Sequence, residues 1–180
     1  MWQGLLAPSL ERMILSELPD GFQLSGLILQ AHDKLGYVVD YRIVVDASWV
    51  TKEVTVEIEG SRASPLVLNR TANGEWHRNG QRLAGLTGIT DIDLAWSPAT
   101  NTLPIRRLGL SPRTSATVVA AWVRFPSLAI ERLEQSYQRL EDQHYRYRAG
   151  DFRAELEVDA DGLVSSYAGN WRMVASSGWS

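Results

Sequence analysis

Strict alternation of apolar and polar residues, repeated along the chain, is the feature that most constrains the fold. Val54, Val56 and Ile58 alternate with threonine and glutamate over residues 54–59. Residues 152–158 repeat the pattern with arginine and glutamate at the polar positions. Successive side chains of a β-strand point to opposite faces of a sheet, so this period of two predicts strands with one buried face.

Turn residues separate the strand-like segments. Residues 22–58 and 115–125 are rich in valine, isoleucine, tyrosine and threonine, which favour strands. Asn73-Gly74 and Asn79-Gly80 are each a strong signal for a type I′ hairpin turn. Helices and strands do not alternate as they do in parallel βαβ units. The sequence therefore predicts a mainly β protein with one long antiparallel sheet.

One segment favours a helix by its capping residues. Ser97 can cap a helix, Pro98 can occupy its first turn, and Gly109 can end it. Pro104 would interrupt a continuous helix, which favours one turn over residues 98–102 followed by a second over 103–108.

A second segment competes with the first for the only helix of the fold. Across residues 127–142, Ile130, Leu133, Tyr137 and Leu140 have helical spacing. Leu133, Gln135, Tyr137 and Arg139 can equally form one face of a strand. The segment 97–108 is therefore the first choice for the helix, and 127–142 stays open as the alternative.

Composition narrows the class of protein. A chain of 180 residues, 44% of them hydrophobic, can bury one substantial core, which predicts a single domain over residues 1–180. No apolar run reaches the roughly 20 residues of a transmembrane helix, and no secretory signal is evident, so we expect a cytoplasmic protein. The net charge of −3 argues against nucleic acid as a partner. Without cysteine, and with three scattered histidines, neither a metal nor a cofactor is expected.

The stretch DIDLAWSPATNTLPIRRL, followed by AWVRFPSL, QSYQRL, YRY and FRAELEVDADGLVSSYAGNWR, resembles the bacterial family of putative glycolipid-binding proteins. DYRIVVDASW is similar as well, so the resemblance spans roughly residues 36–172. It implies a spiral β-roll, in which one antiparallel sheet wraps around a single α-helix, and it implies homodimers. The edge strands of an open roll also favour a homodimer, because a symmetric partner protects unpaired edges. The resemblance supplies no catalytic residues.

Two acids and two arginines suggest a set of structural ion pairs. Asp91 and Asp93 are two apart on a predicted strand, so both carboxylates point to one face. Arg106 and Arg107 follow in the predicted helix and can pair with them through bidentate contacts. The alternative is that the two carboxylates act as acid and base in a glycoside hydrolase.

Candidate ligand-binding residues combine cationic, neutral polar, acidic and aromatic side chains: Arg106, Arg107, Asn101, Thr100, Asp93, Trp49, Trp96 and Tyr137. Adjacent arginines differ by about 100° around a helix, so at most one of them is expected to face a ligand directly. The competing interpretation is structural: Asn101 and Thr102 would cap a turn, and the aromatic side chains would fill the core.

Three functions remain open at this point. The first is a non-catalytic carrier or sensor that holds a glycolipid or another amphiphile in an apolar cavity with a polar mouth. The second is the hydrolase that would use Asp91 and Asp93. The third is a ligand-free interaction or scaffold protein whose interior is filled completely by side chains.

Overall fold

The structure, a computed structural model, describes residues 1–60 and 64–176. The strands within these residues are β1 (Trp2–Gly4), β2 (Ser9–Leu18), β3 (Gly21–His32), β4 (Leu35–Asp46), β5 (Thr51–Ile58), β6 (Leu66–Arg70), β7 (Trp76–Arg78), β8 (Gln81–Arg82), β9 (Asp91–Leu94), β10 (Ser115–Val123), β11 (Ile130–Glu141), β12 (His144–Ala149), β13 (Phe152–Val158), β14 (Val164–Tyr167) and β15 (Trp171–Met173). The helices are two 3₁₀ helices, Ala84–Leu86 and Pro98–Asn101, and one α-helix, α1 (Thr102–Leu108). None of these helices is long and apolar enough to cross a membrane.

All 15 strands of the described residues belong to one sheet, in the order β8-β7-β6-β5-β4-β3-β2-β1-β15-β14-β13-β12-β11-β10-β9. The mainly β prediction is therefore confirmed, and the sheet does not close into a barrel. One detail is corrected. β9 and β10 pair in parallel, with Asp91 opposite Ala120. A parallel pair needs a crossover, and the helical segment 98–108 lies in that connection.

The two predicted hairpin turns have different outcomes. Asn79 and Gly80 have φ of 48° and 85°, the positive values that a type I′ turn requires, and they join β7 to β8. Of the other pair only Gly74 has positive φ, and it lies in a longer loop in which the N–H of Glu75 bonds to the Thr71 hydroxyl. The type I′ prediction is therefore confirmed at 79–80 and wrong at 73–74.

The structure places the α-helix at 102–108, and the alternative helix at 127–142 is wrong. Residues 130–141 form β11, in which Tyr137 lies between Ala116 of β10 and Tyr147 of β12. Alternation outweighs helical spacing here because strands pair with both edges of this segment, which satisfies its backbone groups.

Two clusters of buried residues form the core, and the helical segment contacts both. Leu103, 0% exposed, belongs to the larger cluster with residues of β3 to β7. Ile105 belongs to the smaller cluster with residues of β10 to β14. Burying a leucine such as Leu103 contributes about 1.5–3 kcal/mol. The helical segment is thus packed between the two halves of the sheet.

The two end strands of the sheet are short, and hydrogen bonds connect the regions next to them. β8 has two residues and β9 has four. The Ile89 carbonyl accepts the Trp76 indole N–H at 2.9 Å and the Arg70 Nε–H at 2.8 Å, so side chains connect the region of β6 and β7 to the residues before β9. Ends this short do not support the argument from edge strands for a homodimer, and the homodimer itself stays a prediction.

Candidate ligand-binding site

The helical segment begins and ends at the residues that the sequence indicates. Ser97 caps the 3₁₀ helix Pro98–Asn101, because its hydroxyl oxygen accepts the Ala99 N–H at 3.1 Å. Pro98 is the first residue of this helix, as the sequence predicts. Gly109, with φ of 51°, ends α1 in the left-handed conformation. Pro104 is the third residue of α1, where its missing N–H removes no helical bond. The broken helix is confirmed, with the change from 3₁₀ to α geometry between residues 101 and 102.

One of the four conceivable acid–arginine pairs is present. Arg107 donates from Nε to Oδ1 of Asp91 at 3.0 Å and from Nη2 to Oδ2 at 2.6 Å, a bidentate contact. The Asp91 side chain is 1% exposed and the Arg107 side chain 20%, so the carboxylate of this ion pair is buried and its cation reaches the surface. Arg106 forms no ion pair within the described part of the chain, and its guanidinium lies 4.9 Å from the centre of the Trp49 ring instead. The expectation that Arg106 pairs with an acid is therefore wrong.

Asp93 lies at one end of a chain of hydrogen bonds that begins on the helical segment. Asn101 Nδ2 donates to the Tyr137 hydroxyl at 2.9 Å, and this hydroxyl donates to Gln135 Oε1 at 3.3 Å. Gln135 Nε2 then donates to Asp93. Burial raises the pKa of Asp93 to about 6, against the opposing effect of the Gln135 hydrogen bond. The partner of Asp93 is therefore a neutral amide and not an arginine.

Thr100 and Asn101 hold the segment in place. The Thr100 hydroxyl accepts the Leu94 N–H at 3.3 Å and donates to the Ser97 carbonyl at 3.3 Å, which are structural contacts. The side chain of Asn101 makes no capping bond to α1. Its amide bonds to Tyr137, across the interior, so the predicted capping role of Asn101 is wrong.

A buried glutamate that the sequence did not reveal lies beneath the helical segment. Glu11 of β2 is 0% exposed, and its Oε1 accepts the Tyr41 hydroxyl at 2.5 Å and the Ser97 hydroxyl at 2.7 Å. Burial raises its pKa to about 7, although both hydrogen bonds oppose that shift. Gly26 makes the contact possible, because a Cβ there would lie 2.4 Å from the Tyr41 ring.

A cavity of about 330 Å³, open to solvent on one side, lies between the helical segment and the strands of the C-terminal half. We call it the interior cavity. Its lining is mostly apolar and aromatic, with a few polar side chains: Asp93, Leu94, Ala95, Ser97, Pro98, Asn101, Trp122, Leu133, Tyr147, Ala149, Phe152, Tyr167, Asn170 and Trp171. Among the lining residues that the structure describes, Asp93 has the only acidic or basic side chain.

A second pocket, of about 340 Å³, adjoins the interior cavity. We call it the outer pocket. Its lining combines aromatic and polar side chains with four residues shared with the interior cavity: Gly4, Leu6, Ala7, Ser9, Gln30, His32, Ala95, Trp96, Trp122, Arg124, Phe125, Asn170 and Trp171.

The predicted ligand-binding residues do not come together at one place in the structure. Asp93 and Asn101 line the interior cavity, and Trp96 lines the outer pocket. Tyr137 lines neither cavity, but it bonds to Asn101 and its ring lies 5.2 Å from that of Tyr147, and both of these residues line the interior cavity. The remaining four line neither cavity: Arg106, Arg107, Thr100 and Trp49. Sequence reasoning did not bring together one aromatic wall of the cavity, formed by Tyr147, Phe152, Tyr167 and Trp171. These residues lie on four successive strands, β12 to β15, and alternation gives the face within each strand but not the pairing that joins the strands.

The geometry does not support an acid–base pair of Asp91 and Asp93. Asp91 is held in a buried ion pair with Arg107 and does not line the interior cavity. Asp93 alone faces that space, whereas glycoside hydrolysis of the usual kind needs two carboxyl groups on either side of one bond.

Together these features define a β-sheet protein that packs one short helix between the halves of its sheet and keeps an aromatic-lined cavity beside it. The chain belongs to the family described as "Putative glycolipid-binding", which matches residues 1–173. The chain is also similar to a DUF1089 family protein from Pseudomonas aeruginosa, known from a crystal structure. The two share 34% identity and a TM-score of 0.83 over 92% of each chain. Comparison with curated proteins found no match.

Proposed function

We propose that this protein binds a glycolipid or a similar amphiphile without chemical conversion, as a carrier or a sensor. The observation that carries the proposal is the interior cavity, which has several aromatic lining residues and, among the described residues, one acid and no lysine or arginine. Such a lining suits the apolar part of a ligand, and Asn101 and Asn170 add neutral hydrogen-bonding groups. Membership of the family supports a binding role as well.

The size of the cavity restricts the ligand. Pockets for small ligands span about 300–1,000 Å³, so a cavity of about 330 Å³ is at the lower end of that range. One short chain or the end of a longer one fits this space better than two acyl chains. The same open volume favours a binder over the alternative of a scaffold whose interior is filled completely.

We expect the wild-type protein to bind octyl β-D-glucoside below its micellar concentration, with a Kd that isothermal titration can measure. Ala149 lines the interior cavity. The Ala149→Phe substitution places a ring in that space, so affinity should fall at least tenfold. No detectable binding by the wild type would contradict the proposed function.

Ala160→Phe is the matched control, because Ala160 is exposed in the turn between β13 and β14 and lines neither cavity. It adds the same ring to the protein and should leave the affinity unchanged. Equal affinity in Ala149→Phe and Ala160→Phe would place the ligand outside the interior cavity.

We further propose a homodimer, formed through the outer face of β2 and β3. Leu10 lies opposite Leu29 and Arg12 opposite Leu27, and all four are exposed. Asp40 follows Leu27 in the same cross-strand row. A two-fold axis through this face can bring Arg12 of one protomer near Asp40 of its partner, so the surface is complementary to itself in charge.

Light scattering at micromolar concentration should report a dimer for the wild type and a monomer for Leu27→Glu. The substitution places a charge at the centre of the proposed interface, where it would have to lose its hydration. Leu35→Glu, at an exposed leucine at the far end of β4, is the control and should stay dimeric. A monomeric wild type would refute the association.

A further inference from the structure

The outer pocket adjoins the interior cavity, with which it shares four lining residues. It is formed by the ends of β2 and β3, the loop before the helical segment and the end of β10. Trp122 and Trp171 line both spaces, so a ligand that extends from one to the other would pass these two indole rings. An amphiphile with its chain in the interior cavity would therefore have its head group in the outer pocket.

Three of the residues that line the outer pocket have a side-chain polar atom without a hydrogen-bond partner. Ser9 Oγ, Gln30 Oε1 and Trp96 Nε1 are shielded from solvent and have no hydrogen-bond partner, and all three residues line this pocket. Only seven side-chain atoms of the described residues share that property. Buried polar groups are paired in the great majority of cases, so three together indicate a partner outside the chain.

The chemistry of these atoms selects the kind of partner. Trp96 Nε1–H can only donate, Gln30 Oε1 can only accept, and the Ser9 hydroxyl can do both. A phosphate dianion or a carboxylate accepts hydrogen bonds but donates none, so it would leave Gln30 Oε1 unpaired. A hydroxyl group donates and accepts, so a ring that carries several hydroxyl groups can satisfy all three atoms.

We propose that the outer pocket is the subsite for a sugar ring, the head group of the amphiphile in the proposed function. The apolar C–H face of a pyranose can pack against an indole ring, and Trp171 offers one that is half-buried. The Arg124 guanidinium already covers one face of Trp122, 4.2 Å from the ring centre, and this contact fixes the indole that separates the two spaces.

Titration of two probes tests the sugar subsite: octyl β-D-glucoside and octylphosphocholine, which share the chain and differ in the head group. Gln30→Leu should weaken glucoside binding about tenfold and octylphosphocholine binding clearly less, because a sugar hydroxyl group can donate to Gln30 Oε1 as well as accept from Nε2, whereas a phosphate can only accept. Trp96→Phe, which removes one N–H, should act in the same direction. Without ligand, Gln30→Leu should melt at the wild-type temperature or higher, since the lost atom had no partner.

Gln23→Leu is the matched control, on the same strand but outside the pocket, where Gln23 faces Arg42 instead. It should bind both probes as the wild type does. Unchanged glucoside affinity in Gln30→Leu, with binding still lost in Ala149→Phe, would overturn the sugar subsite and leave the proposed function intact. Equal losses for both probes would also overturn the subsite. Failure of the wild type to bind either probe would overturn both proposals.

Discussion

Replacing Arg107 with alanine is expected to lower the free energy of unfolding by about 3–5 kcal/mol. Asp91 is 1% exposed and accepts both Arg107 hydrogen bonds, so the variant retains a buried carboxylate whose counter-charge is gone. The Thr90 hydroxyl, 3.1 Å from Oδ2, remains as a neutral donor and cannot compensate for a cation. Denaturant unfolding at pH 7 measures the loss directly.

Two further variants separate the buried ion pair from a general effect of losing an arginine. Arg106→Ala should cost less, because Arg106 packs on Trp49 and pairs with no carboxylate in the described residues. The double variant Asp91→Asn with Arg107→Gln should recover much of the stability, since neither side chain then leaves a buried charge. If Arg107→Ala were no more damaging than Arg106→Ala, the buried pair would not be the stabilising element.

The Glu11→Gln variant is expected to be more stable than the wild type at pH 8, by about 3 kcal/mol. Burial raises the pKa of Glu11 from 4.5 to about 7, so the folded protein resists ionisation of this carboxyl group. Below pH 4.5 the group is protonated in both the folded and the unfolded states and imposes no cost. As the pH rises from 4.5 to 7 the unfolded state loses its proton first, and stability is lost across that window.

Unfolding free energies of Glu11→Gln and the wild type, compared from pH 4 to pH 9, check this expectation. Glutamine resembles the protonated acid and cannot ionise, so the difference between the two proteins should grow from near zero to its full value above pH 7. Glu17→Gln, at an exposed glutamate of the same strand, should show no such trend. A difference that does not vary with pH would show that Glu11 is not the titrating group.

The sequence predicts the strands well because their signal is local. The alternation over residues 54–59 and 152–158 predicts which face of each strand is buried, and this prediction does not require the partner strand to be identified. The parallel pairing of β9 with β10 depends on the path of the connection, residues 95–114, between the two strands. No short sequence pattern predicts that path. The segment 127–142 was ambiguous for the same reason, since only its two neighbouring strands decide between helix and strand.

The site was less accessible to sequence reasoning than the fold. β2 carries apolar residues on both faces, and Leu10 and Ile14 point outward while Glu11 points inward. The usual association of apolar residues with the interior therefore hides the one buried glutamate. The two adjacent arginines, 106 and 107, indicated correctly that a cation lies near Asp91. Which arginine contacts the acid and which contacts Trp49 depends on how the helix is rotated against the sheet, and the sequence does not give that rotation.

The pairing of β1 with β15 has a consequence for how the protein acquires its structure during synthesis. These are the first and last strands of the described chain, and they join at the centre of the sheet, with Trp2 opposite Met173. The Trp2 indole N–H also bonds to the carbonyl of Val164, 162 residues away. Contacts this distant in sequence form slowly and only after both segments have left the ribosome. Until β15 is available, β1 has an edge without a partner strand. The nascent chain is therefore most prone to aggregate just before β14 and β15 emerge.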